Sequence, residues 1–354
     1  MDIRELDSNF LKVRVKEQDI VWKNALETPF SLHGIYFDKE EGWYRRMPYS
    51  VAKDVNPGVA FLSRNSAGGR LRFKTDSPYV AIRAEVYSCK PTNNLGVTAM
   101  TAFSLYENKQ FQAFKGPDND EVQAAKESSF SFEEMFYRRN KGLCDFDVYF
   151  PSYNSVKTLY IGIKEGTNVY PADEYENKKP VVFYGSSITQ GGCASHSGND
   201  YISMMSRWLG FEYVNLGFSG NAKGETKMAE YIASLDMRAF VYDYDHNAPN
   251  AEHLQATHAP MYEIIREKHP DLPIIIISKP DVHASMESSA KRRDVIYATY
   301  EKAKQRGDNV AFIDGGTLFG EAWEMCTVDA CHPNDLGFYN MAKAIAPVLA
   351  EKIK

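Results

Sequence analysis

The chain has 354 residues, 44% of them hydrophobic and 25% charged, a composition of soluble globular proteins at a length that suits two domains. Its 41 basic against 47 acidic residues leave a formal charge of −6 with no Lys/Arg block, which argues against nucleic acid as a partner. Charges run through the first twenty residues, no later stretch has the apolar length of a membrane span, and five cysteines are an odd number. The expectation is therefore a cytoplasmic protein with reduced thiols and no membrane partner.

From the start to about residue 163 short alternating segments recur: "RLRFK" (70–74), "YVAIRAEV" (79–86), "TAFSLYE" (101–107) and "TLYIGI" (158–163). In the second, Val80, Ile82, Ala84 and Val86 share one face while Arg83 and Glu85 take the other, the period of a half-buried strand. Turn-rich pieces, "SAGG" (66–69) and "KPTNNLG" (90–96), separate these segments, so this half reads as an antiparallel sandwich. Within it "GWYRRMPY" (42–49) fits either stacking against a sugar or an internal contact. The polar, proline-bearing stretch 164–180 reads as a linker laid over the surface.

Beyond it "VVFY", "FEYVNL", "AFVYDYD", "PIIIIS" and "VAFIDG" are compact apolar runs, alternating with helix-period stretches such as 250–268 and 285–305. Strands that read as continuous apolar runs between helices belong to a parallel sheet covered on both faces. Ligands bind beyond the carboxyl ends of such strands, which gathers the loops after Tyr184, Leu216, Asp243, Ser278 and Asp314 on one rim.

Four of these stretches carry chemistry. "FYGSSITQGG" (183–192) runs from a strand into two serines; it has neither a phosphate-loop pattern nor G-x-S-x-G, since Thr189 stands at the second glycine. "VDACHPNDLGF" (328–338) places Asp329 three residues before His332, ahead of a helix beginning near Asn334. That spacing lets the carboxylate meet one ring nitrogen while the other faces a hydroxyl, with an ordinary histidine titration near 6.5. "NLGFSGNAKGE" (215–225) offers glycine N–H groups and "DYDHNAPN" (243–250) side-chain amides, both suited to a developing oxyanion. Of the latter, Asn247 lies nearest the strand end, whereas Asn250 suits the cap of the following helix. Cys326, Cys331, His332 and His283 match no zinc spacing, so no metal site is expected, and Cys193 reads as a small packed residue.

The four stretches together resemble the blocks of the SGNH (GDSL-type) hydrolases: "GSSIT" the first, "GFSGN" the glycine block, "DHNAP" the asparagine block and "DACHP" the D-x-x-H-P block. Ser186 stands where the family has aspartate, and "DYDHN" lacks the usual glycine before its asparagine. The resemblance implies a flavodoxin-like three-layer α/β/α domain with a parallel sheet over residues 171–354. An antiparallel, jelly-roll-like β-sandwich over 1–170 precedes it, as in some carbohydrate-acting relatives. It implies Ser187 as nucleophile, His332 as base, Asp329 as its orienter, and Ser187, Gly220 and Asn247 as the oxyanion hole, with no cofactor. The expected activity is a serine esterase acting on short acyl esters, O-acetyl groups of a carbohydrate foremost. The alternatives are a lipase- or thioesterase-type acylhydrolase and a non-catalytic carbohydrate-binding protein. The sequence carries no signal for an oligomeric state.

Overall fold

The computed structural model describes residues 6, 7 and 15–354 except 88, 91, 126, 127, 282 and 284. Up to Tyr170 the main strands pair antiparallel, in two sheets that face each other. One runs Ile20–Asn24, Val156–Lys164, Tyr79–Tyr87, Ser129–Tyr137; the other runs Val169–Tyr170, Arg70–Thr75, Cys144–Tyr149, Phe103–Glu107, Gln110–Lys115, with Ser31–His33 also paired to Arg70–Thr75. The period-2 pattern decides which face is covered. Val80, Ile82, Ala84 and Val86 point into a core shared with Leu71, Phe73, Phe146 and Val148 from the opposite sheet.

From Val181 onward every strand is parallel, in the order Tyr213–Gly217, Val181–Gly185, Ala239–Asp243, Ile274–Ile277, Val310–Ile313. Numbered along the chain this is 2-1-3-4-5, the flavodoxin-like order. Helices Thr226–Ser234, Ala251–Lys268 and Met286–Arg306 contribute Ile232, Leu254, Ile265 and Ile296 to the core on one face. Tyr201–Leu209 and Asp335–Lys352 contribute Ile202, Met205, Met341 and Ile345 to the core on the other. With both faces covered, the strand residues are mostly apolar, Asn215 and Asp243 apart, which is why no alternation is visible in them. Among the described residues no helix is long and apolar enough to cross a membrane.

Reading the first half as strands alone misses the helices among its described residues: the short Val97–Thr101 and Asn119–Ala124 and, bearing on the site, Tyr49–Val55 and Pro57–Leu62. The latter two carry Ala52, Val59 and Leu62 into the core of the parallel-sheet half, beside Tyr184, Phe218 and Met228. The stretch 42–49 is accordingly an internal contact rather than a sugar platform. Tyr44 and Arg46 are buried, and the Arg46 guanidinium donates to the carbonyls of Leu62 (2.8 Å), Asn65 (2.7 Å), Asn215 (3.0 Å) and Gly217 (2.7 Å). Burial lowers its pKa to about 9. A second crossing pairs Arg70 with Glu212 and sets its guanidinium 3.8 Å from the centre of the Tyr213 ring. The stretch 164–180 does lie along the sandwich: Val169–Tyr170 pairs with Arg70–Thr75, and Lys74 Nζ reaches Asp173 at 2.7 Å.

Removing Arg46 leaves four carbonyls without their donor. Arg46→Met should lose at least about 3 kcal/mol of stability in urea unfolding, and Arg46→Lys should recover less than half of it, because an ammonium cannot reach all four acceptors. A loss below about 1 kcal/mol would show the clamp to be dispensable.

Candidate active site

The buried strand Val181–Gly185 runs into Ser186, whose Oγ accepts from Ile188 N (3.1 Å) and so caps a single helical turn, Ser187–Gln190. Gly191, at φ +93°, ends that turn. Two other glycines make room for it. A Cβ on Gly185 would meet Thr189 Oγ1 at 2.1 Å and Asp243 O at 2.2 Å, and one on Gly217 would meet Gln190 N at 2.2 Å. The two serines thereby take different duties: Ser186 holds the backbone, while Ser187 Oγ lies 2.9 Å from His332 Nε2.

His332 is delivered by a tight loop closed by Val328 N to His332 O (2.9 Å) and Asn334 N to Cys326 O (2.9 Å). Ala330 takes φ +65° at its tip. Asn334 caps helix Asp335–Lys352 by accepting from Gly337 N (3.0 Å), so the loop is seated on a long buried helix. Asp329 Oδ1 accepts from the N–H groups of Cys331 (3.2 Å) and His332 (2.7 Å); Oδ2 accepts from the His332 ring at Nδ1 (2.8 Å) and from Asn94 Nδ2 (2.6 Å). Burial would raise the Asp329 carboxyl, but these donors outweigh it and hold it well below the usual range.

The glycine and asparagine loops are tied to the serine. Gln190 Oε1 accepts from Ser219 N (3.0 Å), and the Phe218 carbonyl accepts from Asn221 N (2.9 Å) and Asn247 Nδ2 (2.7 Å). One amide hydrogen of Asn247 is thus spent on orientation, and the other is left for a ligand. Gly220 sits in this turn at φ +68° with open space where a side chain would be. Asn250 Oδ1 accepts from His253 N (2.8 Å) and caps helix Ala251–Lys268. Ser187, Asp329 and His332 are therefore in direct contact, with Gly220 and Asn247 on loops bonded to the serine turn. Of the set Cys326, Cys331, His332 and His283, only Cys331 and His332 come together, with Asp329; Cys326 is buried, with its thiol 3.2 Å from Ala322 O, and His283 stacks on Trp323.

Three features escape the sequence reading. Asn94, in a stretch that reads only as a turn, crosses from the first half to the catalytic-loop carboxylate. The Tyr153 hydroxyl, also from the first half, reaches Ser187 O at 3.3 Å. The third is the thiol of Cys331, which stands beside His332. Its sulfur, close to the ring, is the largest influence on the imidazole and, with Asp329 and against burial, raises His332 to about 9, not the ordinary 6.5. At the sheet end, burial pushes Asp243 up to about 7 despite hydrogen bonds from Tyr201 and Thr189 (3.1 Å each).

Residues 178–350 match the family described as GDSL-like lipase/acylhydrolase, and residues 20–169 match the N-terminus of the SGNH-hydrolase type of esterase. A protein of Bacteroides ovatus described as a GDSL-like lipase is 28% identical over 94% of this chain and 98% of its own, with a TM-score of 0.82. At 18% identity the chain shares the fold of SsfX3, a salicylyl-acyltransferase from a tetracycline biosynthetic pathway (TM-score 0.76; 96% of this chain, 100% of that one). At 12% it shares the fold of a family two carbohydrate esterase from Clostridium thermocellum in complex with cellohexaose (TM-score 0.62; 92% and 99%). No curated protein sequence matches the chain.

A raised pKa keeps the imidazole protonated further up the pH scale, so the neutral form that can accept a proton grows tenfold per pH unit until about 9. The His332 ring signals should titrate near that value in a nitrogen-15 NMR titration, and a midpoint at about 6.5 would remove the thiol's influence.

Proposed function

The chain belongs to the SGNH-type, GDSL-like acylhydrolases, and from that membership we propose that it cleaves short acyl esters, O-acetyl groups on a carbohydrate first among them, through an acyl-enzyme on Ser187. The observation that carries this reading is the unbroken line Ser187 Oγ, His332 Nε2, His332 Nδ1, Asp329 Oδ2, with contacts of 2.9 and 2.8 Å. Neutral His332 takes the Ser187 proton as the oxygen attacks the ester carbonyl, and Asp329 fixes the ring's tautomer and stabilises the imidazolium. The oxyanion is received by the N–H groups of Ser187 and Gly220 and by the Asn247 amide. His332 then protonates the departing alcohol, and water repeats the sequence on the acyl-enzyme.

Two observations favour a sugar as the alcohol. The fold is shared with a carbohydrate esterase that was seen holding cellohexaose. Beside the catalytic loop, a cavity of about 250 Å³ is bordered by Ala330, Trp323, His283, Asp281 and Glu324, with the Trp323 and His283 rings stacked at 3.8 Å. An aromatic face with carboxylates around it suits a polyol, which offers C–H groups to the ring and hydroxyls to the oxygens.

Ser187→Ala should lower turnover of p-nitrophenyl acetate and of acetylated sugars by about 10⁴-fold or more with an unchanged melting temperature, while Ser186→Ala costs stability through the lost cap. An inactive Ser186→Ala beside an active Ser187→Ala would move the nucleophile by one residue. Acetate release from acetylated oligosaccharides should exceed hydrolysis of long-chain p-nitrophenyl esters in kcat/KM; the opposite order would favour a lipase.

The two asparagines separate chemistry from folding. Asn247→Ala should cost about 10²- to 10³-fold in kcat with KM nearly unchanged, whereas Asn250→Ala should cost about 1 kcal/mol of stability with kcat nearly unchanged. Kinetics and thermal melts on the two variants check this, and the reverse pattern hands the oxyanion role to Asn250.

A further inference from the structure

Next to the serine site runs a second line of titratable groups, none of which is a reacting group of the esterase chemistry. His246 Nε2 faces Cys331 Sγ at 3.1 Å and His246 Nδ1 faces Asp281 Oδ1 at 3.2 Å, while Lys279 Nζ lies 3.4 Å from the same carboxylate oxygen. The order carboxylate, imidazole, nucleophile repeats that of Asp329, His332 and Ser187, with sulfur in place of oxygen. Asp281 is 6% exposed and the His246 side chain 17%, so the pair is shielded from competing water; Cys331 is half-buried behind the exposed Asp329 and Ala330. Its sulfur stands between two imidazoles, the His246 and His332 rings being centred 6.4 Å apart.

We propose that Cys331 is a reactive thiolate and a covalent modification site, through which soft carbon electrophiles and hydroperoxides switch off the adjacent Ser187–His332 site. Burial would raise the thiol, but hydrogen bonds from His246 and then His332 bring it down to about 7. His246, which burial would lower, is raised to about 10 by Asp281 and Cys331. At pH 7 about half of the molecules therefore hold the pair as thiolate and imidazolium. With an alkyl halide, the S–C bond forms as the C–halogen bond breaks and halide leaves with the electron pair. With hydrogen peroxide, the S–O bond forms as the O–O bond breaks; sulfur is oxidised to the sulfenic acid, and the departing hydroxide takes the His246 proton as water. Either adduct puts new atoms at the sulfur that adjoins His332.

A divalent metal is the competing occupant, since His246, Asp281 and Cys331 offer one ligand atom each within 4.8 Å. The contacts favour the thiolate: sulfur and carboxylate each lie within hydrogen-bond reach of a different nitrogen of one imidazole, as in a proton relay.

The loss of turnover rests on the esterase reading, but the labelling does not. The test is substoichiometric iodoacetamide at pH 7 on the full chain, with peptide mass spectrometry over all five cysteines and p-nitrophenyl acetate turnover read in parallel. Cys331 should be carbamidomethylated at least tenfold faster than any other cysteine, with turnover lost in step. Cys331→Ser should keep its turnover under the same treatment. His246→Gln should slow labelling about tenfold, as the thiol returns towards about 8.5. Hydrogen peroxide should give a sulfenic acid on Cys331 that dimedone traps, and in a parallel sample without dimedone dithiothreitol should restore turnover. Ser187→Ala should be labelled at the wild-type rate; if that variant proves active, the esterase reading fails and the thiolate stands. Labelling of Cys331 no faster than of its neighbours, or full labelling with turnover intact, overturns the proposal. So does inhibition by equimolar zinc chloride that iodoacetamide does not reproduce.

Discussion

The Arg46 guanidinium, shut off from water, donates to four main-chain carbonyls and to no carboxylate. An isolated buried cation is costly, and it is tolerated here because its guanidinium nitrogens all meet main-chain carbonyls, four in number. Leu62 and Asn65 belong to the first half; Asn215 and Gly217 belong to the edge strand of the parallel sheet. The cation also lies 4.7 Å from the centre of the Phe218 ring, and the Phe218 carbonyl is the one that orients the Asn247 amide. The sandwich half is thus fixed to the chain segment that leads into the glycine turn, and movement at this joint would be felt at Gly220 and Asn247.

Asn94 and Tyr153 extend the same dependence to the other side of the site. Asn94 adds a donor to the Asp329 oxygen that also receives His332 Nδ1, and Tyr153 supports the Ser187 carbonyl. With the Arg46 clamp, these contacts make the first half part of the catalytic apparatus although it supplies none of the reacting groups. The two halves share a core through Ala52, Val59 and Leu62, so the arrangement is a packed interface and not two domains on a flexible joint.

This joint is also where the sequence stops being informative. The parallel sheet, its helices and the rim loops are legible because they follow from local period: continuous apolar strands, helix-period stretches, a cap at Asn250 and another at Asn334. The contact of Ser187 with His332 follows once those loops share a rim. The helices Tyr49–Val55 and Pro57–Leu62 are too short for a period to show against strand-like surroundings, and their apolar residues are explained only by the other half's core. Asn94 meets a residue 235 positions away, with nothing in "KPTNNLG" to distinguish it from a turn. The basicity of His332 depends on a thiol whose partner His246 is 85 residues distant, so no reading of the D-x-x-H spacing could supply it.

That thiol bears on catalysis in two opposed ways. In the proposed mechanism, a negative sulfur next to His332 stabilises the imidazolium that forms as Ser187 attacks, which lowers the energy of the charged state the reaction passes through. It also holds the resting ring protonated up to about 9, so below that value only a fraction of molecules carry a free base. The two effects come from one Coulomb interaction and cannot be tuned apart. Basicity favours proton abstraction once the ring is neutral, and the balance improves as pH rises towards the ring's own pKa. Read from the sulfur's side, the same interaction adds to the larger one from His246 in lowering the Cys331 thiol to about 7. A chain that gains a stronger base by this route therefore acquires an oxidisable atom within its own active site.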